Sequence, residues 1–188
     1  MGRRLFISFL ALAVLFSSLT FAQEKATARA AESVSPEMEK LAKALAGDWN
    51  NAETMEHGEF FPNGGERRGT SHCALETGGT VLLCTGQSDG SAGKLNHTIV
   101  IWWDQNAKLY GFFICFKDNG DSGCKVRGTA HWEGADFVND YTEDVNGRET
   151  KARDSFIEIT PKSHTLTAAI ESADRKMKTL ITTRSTRR

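Results

Sequence analysis

Residues 73–84, Cys-Ala-Leu-Glu-Thr-Gly-Gly-Thr-Val-Leu-Leu-Cys, decide the fold, because their two cysteines stand at equal distances from Gly78-Gly79. A second stretch repeats this arrangement, with Cys115 and Cys124 placed symmetrically about Asn119-Gly120. Gly-Gly and Asn-Gly suit the two-residue turns of β-hairpins, in which both central residues need a positive φ. The spacing therefore predicts two hairpins, each with a pair of cysteines facing one another across the strands.

The two cysteine pairs predict two cross-strand disulfides. Counted outward from the Asn-Gly turn, Cys115 and Cys124 fall on a non-hydrogen-bonded pair, where α-carbons approach within disulfide range. The same count puts Cys73 and Cys84 on a hydrogen-bonded pair, whose geometry is poorer unless the loop is longer or a strand bulges. Four cysteines allow three connectivities, and the sequence alone does not exclude the other two. Zinc sites need CxxC-like spacing, which this chain lacks, so we predict disulfides and no metal site.

The N-terminus predicts export to an oxidising compartment. Arg3-Arg4 precedes the apolar run Leu5–Leu19, and Thr20-Phe21-Ala22 resembles a signal-peptidase site. We interpret residues 1–22 as a signal peptide that is removed at maturity, with both the general and the twin-arginine export routes left open. The apolar run is shorter than the roughly 20 residues of a membrane span. We therefore expect a periplasmic or secreted protein without a membrane span in its mature form.

Charge and length bound the classes of function. Without residues 1–22 the chain keeps 21 basic and 24 acidic residues, a formal charge of −3. Bulk electrostatics therefore do not favour nucleic acid as a partner. The remaining 166 residues suit one domain with one core. The oligomeric state is left open by the sequence.

One short helix is predicted ahead of a long series of strands. Residues 23–35 are rich in Ala, Lys and Glu without apolar periodicity, and we expect a disordered tether there. Ser35-Pro36 is typical of an N-cap followed by proline at the first helical position. Gly47 ends the helical pattern. The apolar residues that recur at helical spacing between these limits are Met38, Leu41, Ala42 and Leu45.

Beyond this helix the chain alternates between strand-forming stretches and turn dipeptides. The predicted strands are 48–56, 66–76, 80–88, 95–104, 108–117, 123–133, 136–145, 149–160, 164–172 and 175–184. Short connections place sequence neighbours side by side in an antiparallel meander. A flat meander would expose two long edges, which closure into a barrel removes. We therefore predict an all-β domain over residues 36–188, an antiparallel up-and-down β-barrel of about 8–10 strands.

The start of this domain resembles a known group of barrels. Leu45-Ala46-Gly47-Asp48-Trp49 matches the Gly-x-Trp opening of the lipocalin and calycin superfamily. The chain is most similar to a bacterial exported calycin-like family without an assigned function. That family has an aromatic-rich middle hairpin, which here is Ile101-Trp102-Trp103-Asp104 leading to Lys108-Leu109-Tyr110, and it ends on an arginine-bearing strand, here Thr182-Thr183-Arg184. The likeness covers roughly residues 38–188.

The resemblance implies a structural role for Trp49. In lipocalin-like barrels this tryptophan closes one end, and an arginine of the last strand lies over its ring. We therefore expect Trp49 to stack with Arg184 or a near neighbour in a cation–π contact. Related calycins hold haem through one histidine near the end of the fold, which makes His164 the positional candidate for that role.

Alternation along the strands predicts which side chains face the interior. In 95–104, one face carries Leu95, His97, Ile99, Ile101 and Trp103, whereas residues 108–116 are apolar on both faces. A barrel of this size holds one small ligand or is filled by side chains, and we leave both alternatives open. For a hollow barrel we expect an apolar cavity with a few polar groups. The expected ligand-binding residues are His97, Ile99, Ile101, Trp103, Phe113 and Tyr141.

The sequence is compatible with three classes of function. The first is a barrel that binds a small apolar ligand, the second a haem-binding barrel, and the third a structural or interaction protein with a filled core. An enzyme is the least supported class, and we assign no catalytic residues. Gly86-Gln87-Ser88-Asp89-Gly90 fits the Gly-x-Ser-x-Gly pattern, but a nucleophile elbow needs a following helix, and a strand is predicted instead.

Overall fold

The structure is a computed structural model that describes residues 33–118, 122–145 and 147–188. The predicted signal peptide, most of the predicted tether and the Asn119-Gly120 turn lie outside these residues.

A short amphipathic helix, α1, spans Pro36–Leu45. The Ser35 side chain caps it by accepting a hydrogen bond of 3.2 Å from the Met38 amide, and proline stands at its first position as predicted. Its buried face differs in one residue from the prediction, because Ala44 and not Ala42 is buried. Gly47 leads the chain into the first strand with a φ of 135°, a conformation that favours glycine.

Ten strands follow, and their bounds agree with the predicted ones within three residues. They are β1 (Gly47–Met55), β2 (Gly65–Glu76), β3 (Val81–Gly90), β4 (Leu95–Asp104), β5 (Leu109–Lys117), β6 (Ser122–Glu133), β7 (Asp136–Val145), β8 (Arg148–Ile157), β9 (Ser163–Glu171) and β10 (Met177–Arg187).

The strands form one closed barrel in which each strand pairs antiparallel with its sequence neighbours and β1 also pairs with β10. Asn51 of β1, for example, lies opposite Gly69 of β2 on one side and Ser185 of β10 on the other. The predicted up-and-down barrel is therefore confirmed, and each of the ten described strands has a partner on both sides.

Both predicted disulfides are present, Cys73–Cys84 and Cys115–Cys124. The register of the first hairpin is the predicted one, with Cys73 directly opposite Cys84. Its turn is longer than the two residues predicted, since the loop covers 77–80 with positive φ at Gly78 and Gly79. In the second hairpin the register shifts by one residue between Ile114 and Phe116, so a β-bulge lies at the bridge.

The helix end of the barrel is filled by aromatic side chains. The ring centroids of Tyr110 and Phe137 lie 5.1 Å apart, and those of Trp132 and Phe137 lie 5.2 Å apart. Helix α1 covers this layer, where the Tyr110 hydroxyl donates a hydrogen bond of 2.9 Å to the Glu37 carbonyl. The Trp132 indole in turn donates to the Tyr110 hydroxyl. This end of the barrel is therefore closed by the aromatic layer and α1.

Trp49 is the fully buried plug expected at this end, and its indole donates a hydrogen bond to the Leu45 carbonyl. The cation over its ring is Arg187, whose guanidinium carbon lies 4.4 Å from the ring centroid. The expectation was Arg184 or a near neighbour, and the residue in contact is the neighbour Arg187 and not Arg184. The register explains this, because Arg187 lies opposite Trp49 whereas Arg184 lies opposite the exposed Ala52. Arg184 is therefore on the outer face of β10.

The contact between Arg187 and Trp49 predicts that Arg187→Ala and Arg184→Ala differ in stability. Arg187→Ala should lower the free energy of unfolding by about 1 kcal/mol, because it removes the cation–π contact and the hydrogen bond to the Pro161 carbonyl. Arg184→Ala, the matched control on the same strand, should leave it within about 0.5 kcal/mol. Urea denaturation followed by tryptophan fluorescence measures both. Equal losses in the two variants would contradict the assignment of Arg187.

Candidate functional site

Beyond the aromatic layer the barrel is hollow, with an internal cavity of about 350 Å³. This volume falls in the range of small-molecule sites in proteins. The cavity reaches the end opposite α1, where Phe60 and Phe61 of the β1–β2 connection line it. The sequence left open whether the barrel is hollow or filled by side chains. The structure shows a barrel that is filled near α1 and hollow beyond.

Much of the cavity wall is aliphatic or aromatic. These side chains come from alternate positions of β4, β5, β9 and β10, because alternate residues of a strand face the same side of the sheet. They include Ile99, Ile101, Ile114, Phe116, Leu166, Ile170 and Ile181. The disulfide Cys73–Cys84 also faces the cavity, and both of its cysteines are buried.

A buried ion pair lies on the part of the wall formed by β1 and β2. The Nε atom of Arg67 donates to the Glu53 carboxylate at 2.9 Å, and both side chains are at most 5% exposed. A second nitrogen of Arg67 contacts the Asp118 carboxylate at 3.1 Å. Because a buried charge without its partner is strongly unfavourable, these groups hold one another in a fixed arrangement at the cavity wall.

His97 lies beside this ion pair and lines the cavity. Burial lowers the pKa of its imidazole, while the Glu53 carboxylate raises this pKa and the Arg67 guanidinium lowers it further. The ring rests over Gly86, where any side chain would collide with it. His97 therefore presents a neutral imidazole to the cavity at neutral pH.

A second polar cluster lies on β7 and β8. The Tyr141 hydroxyl donates a hydrogen bond of 3.1 Å to the Asp154 carboxylate. Burial raises the pKa of Asp154 to about 7; the bond from Tyr141 opposes this rise and the Glu143 carboxylate adds to it. Burial also raises the pKa of Glu143 and that of Tyr141. This part of the wall can therefore hold or exchange a proton near neutral pH.

A third set of polar groups crosses three neighbouring strands. Asn51, Ser185 and His164 lie opposite one another on β1, β10 and β9, all at least nine-tenths buried and all lining the cavity. The His164 ring packs edge-on against Trp49, with centroids 4.5 Å apart. Burial lowers its pKa to about 4, and the nearby Arg187 charge adds to this effect.

Four of the six predicted ligand-binding residues line the cavity: His97, Ile99, Ile101 and Tyr141. Trp103 instead belongs to the aromatic layer, 4.9 Å from the Tyr110 centroid. The expectation for Phe113 is corrected as well, because this ring faces outward beneath Arg127. In this two-sided apolar strand Ile114 and Phe116 supply the inner face, and composition alone does not distinguish the two faces.

Sequence reasoning misses the polar residues on the inner face of β1 and its neighbours, including Asn51, Glu53 and Arg67. A signal for two of them exists, since Trp49 is expected inside the barrel. Strand alternation then places Asn51 and Glu53 on the same inner face. Arg67 carries no such signal, because its inward direction depends on the register between β1 and β2.

The Gly86–Gly90 motif lies entirely within β3, with Ser88 buried in the strand and no turn into a helix after it. Within the described residues, no group of three or more His, Cys, Asp or Glu side chains is placed to hold a metal ion. Over the same residues, no helix combines the length and apolar character needed to cross a bilayer.

The solved structures that are similar to this barrel include the following two. The crystal structure of Rv2717c from M. tuberculosis is 13% identical, with a TM-score of 0.57 over 83% of this chain and 99% of that chain. The S-type phycobiliprotein lyase CPES from Guillardia theta is 10% identical, with a TM-score of 0.52 over 83% of this chain and 92% of that chain. No model of a known protein family and no curated protein matches the sequence.

The closed ten-stranded barrel and these structural neighbours show that the chain has a lipocalin- and calycin-like fold. At such low identity the similarity shows the fold alone. The two disulfides point to an oxidising environment.

The raised pKa of Asp154 predicts a distinct pH dependence of stability. An unfolded Asp ionises near pH 3.9, so between about pH 4 and pH 7 the folded state binds more protons and stability falls as pH rises. Asp154→Asn removes this effect and can keep the bond from Tyr141. The free energy of unfolding of Asp154→Asn minus that of the wild type should therefore increase by on the order of 2 kcal/mol between pH 5 and pH 8.

The exposed Asp89 provides the control, since Asp89→Asn should track the wild type at both pH values. Urea titrations of the three proteins at each pH give the comparison. A constant difference between Asp154→Asn and the wild type would show that Asp154 ionises normally in the folded protein.

Proposed function

We propose that this chain is an exported barrel that binds one small, largely apolar molecule in its internal cavity. The observation that carries the proposal is the cavity of about 350 Å³ beside a fully packed aromatic layer. Protein interiors pack closely and leave few voids larger than a water molecule. We would expect a barrel with a purely structural role to be packed with side chains from end to end. The interior of this barrel is packed only near α1.

The wall chemistry supports a molecule with a large apolar part and few polar groups. Aliphatic side chains such as Ile99 and Ile114 would contact the apolar part, and burial of that surface would drive binding. His97 and Tyr141 are the polar groups to which we assign the role of orienting the ligand. Arg67 is held by Glu53 and Asp118, so an anionic ligand would compete with two carboxylates for it.

Export is part of the proposal. It is supported by the signal-like residues 1–22 and by the two disulfides, which persist in oxidising compartments. The protein would then bind its ligand in the periplasm or in the extracellular medium.

Filling the cavity tests the proposal. Ala152 is buried on β8 and lines the cavity, so Ala152→Phe should weaken binding of the neutral fluorophore N-phenyl-1-naphthylamine by roughly tenfold or more. Ala107→Phe, an exposed substitution in the β4–β5 turn, is the matched control and should leave binding unchanged. Fluorescence titration measures both variants. Native mass spectrometry of the protein purified from its own host should show a bound small molecule.

Two results would contradict the proposal. One is the absence of saturable fluorophore binding to the wild type together with a bare chain in native mass spectrometry. The other is equal binding by Ala152→Phe and Ala107→Phe, which would place the fluorophore outside the cavity.

Haem is a second candidate ligand, and His164 is the observation that favours it. This histidine lines the cavity, and burial together with the Arg187 charge lowers its pKa to about 4. A neutral imidazole is the state that ligates haem iron. Addition of haemin should then give a Soret band that His164→Ala removes. A spectrum without that band would exclude this candidate.

A further inference from the structure

We infer that the Asp154 carboxylate is the binding group for a cationic nitrogen on the ligand, and that the Glu143 carboxylate adds to the negative potential at this site. The inference rests on the proposed function and specifies the class of ligand as an amphiphilic amine. Its ammonium group would contact Asp154 on β8. Its apolar part would pack against aliphatic side chains of the cavity wall, such as Ile99 and Ile114.

Asp154 has one carboxylate oxygen free to bind a ligand. The residue is 5% exposed and lines the cavity, and its Oδ1 atom accepts the hydrogen bond from Tyr141. Its Oδ2 atom has no hydrogen-bond partner among the described residues, and it is not one of the polar atoms that the protein encloses completely. This oxygen therefore faces the cavity.

The neighbouring strands leave the Oδ2 atom of Asp154 unoccupied. The Asn139 side chain lies opposite Asp154 on β7, and its proximity lowers the pKa of Asp154. The Asn139 amide nitrogen nevertheless has no partner in hydrogen-bond geometry among the described residues. On the other side of β8, the residue opposite Asp154 is Ala168, which has no polar side-chain atom. The ligand is therefore the remaining source of a donor for this oxygen.

No cation in the described part of the chain pairs with Asp154. Among the neighbours that change its pKa, Glu143 is the charged one, and its charge raises that pKa. Glu143 also lines the cavity, and it forms neither a hydrogen bond nor an ion pair with a described residue. Buried charges in proteins are normally paired, because an isolated one is strongly unfavourable. An unpaired carboxylate that faces a cavity points to a cation supplied by the ligand.

The cavity as a whole has an excess of acidic groups. Glu53 holds the Arg67 guanidinium at 2.9 Å and Asp118 holds it at 3.1 Å. The strand of Arg67, β2, lies five places from β7 around the barrel, so this cation does not serve Asp154. The Arg187 guanidinium lies at the plug and does not line the cavity. The charged side chains of the described residues that line the cavity are four carboxylates and one guanidinium, those of Glu53, Asp118, Glu143, Asp154 and Arg67.

An ammonium group fits this environment better than an uncharged or an anionic group. It supplies the missing counter-ion and donates a charge-assisted hydrogen bond, which is stronger than the bond from an uncharged donor. A carboxylate on the ligand would be repelled by Asp154 and Glu143. Burial raises the pKa of Asp154 to about 7, so about half of the molecules carry a proton on this carboxyl at pH 7. Binding of an ammonium ion would release that proton to the solvent and leave the carboxylate ionised.

Three probes with the same alkyl chain length test the charge of the ligand. Decylamine, 1-decanol and decanoate compete with N-phenyl-1-naphthylamine at pH 8, where the amine is cationic and Asp154 is mostly ionised. Decylamine should bind the wild type roughly tenfold more tightly than 1-decanol. Decanoate should bind more weakly than 1-decanol.

Neutral variants of the two acids test the residues assigned. Asp154→Asn keeps the shape of the side chain and removes its charge, so the preference for decylamine over 1-decanol should fall to roughly twofold or less. Asp89→Asn changes an exposed residue of β3 and should retain the full preference. Glu143→Gln should lower the preference by roughly twofold to threefold. The exposed Glu149→Gln on β8 is its matched control and should leave the preference unchanged.

Proton release provides a test that needs no variant. Calorimetric titrations of the wild type at pH 7, in two buffers that differ in ionisation enthalpy, measure the protons released on binding. Decylamine should release about half a proton per bound ligand, because it ionises the protonated fraction of Asp154. 1-Decanol should release close to none.

The results separate this inference from the proposed function. Equal affinities of decylamine and 1-decanol for the wild type, with saturable binding of both, would overturn the cation site and leave the ligand-binding barrel standing. A full preference for decylamine in Asp154→Asn, or decylamine binding without proton release, would also overturn the cation site. Failure of every probe, including the fluorophore, would overturn both.

Discussion

Pairing of β1 with β10 is the interaction on which the rest of the structure depends. It closes the meander, so that alternate residues of all ten strands face a common interior. It also places Arg187 opposite Trp49 and Ser185 opposite Asn51. The plug at the helix end and the polar pair of Asn51 and Ser185 beside it are therefore both products of the same register. Without this pairing the two end strands would expose unpaired edges and the interior would open to water.

The interior of the barrel is packed tightly near α1 and loosely farther along. Near α1, Tyr110, Trp132 and Phe137 contact one another and leave no room for a ligand. Farther along, smaller side chains such as Ala152 and Ala168 line the cavity. The stability lost by leaving this volume unfilled, and by burying Asp154, is the kind of compromise that binding sites commonly show.

Much of the fold follows from local sequence signals, and much of the site does not. Turn dipeptides, Ser35-Pro36 and cysteine symmetry lead directly to the helix, the strands and the disulfides. The prediction for Phe113 is wrong because its strand is apolar on both faces. Arg187 takes the place expected for Arg184 because the register between strands far apart in sequence cannot be read from either strand alone. The ion pair of Arg67 and Glu53 escapes prediction for the same reason.

The central claim is closure of the barrel by β1 and β10, and nuclear Overhauser effects between their backbone protons test it most directly. Cross-peaks should join the backbone protons of Asn51 to those of Ser185, and the backbone protons of Trp49 to those of Arg187. The paired amides of both strands should also exchange slowly with solvent. Absence of these cross-peaks, together with fast exchange along β1 and β10, would mean an open sheet and would contradict barrel closure.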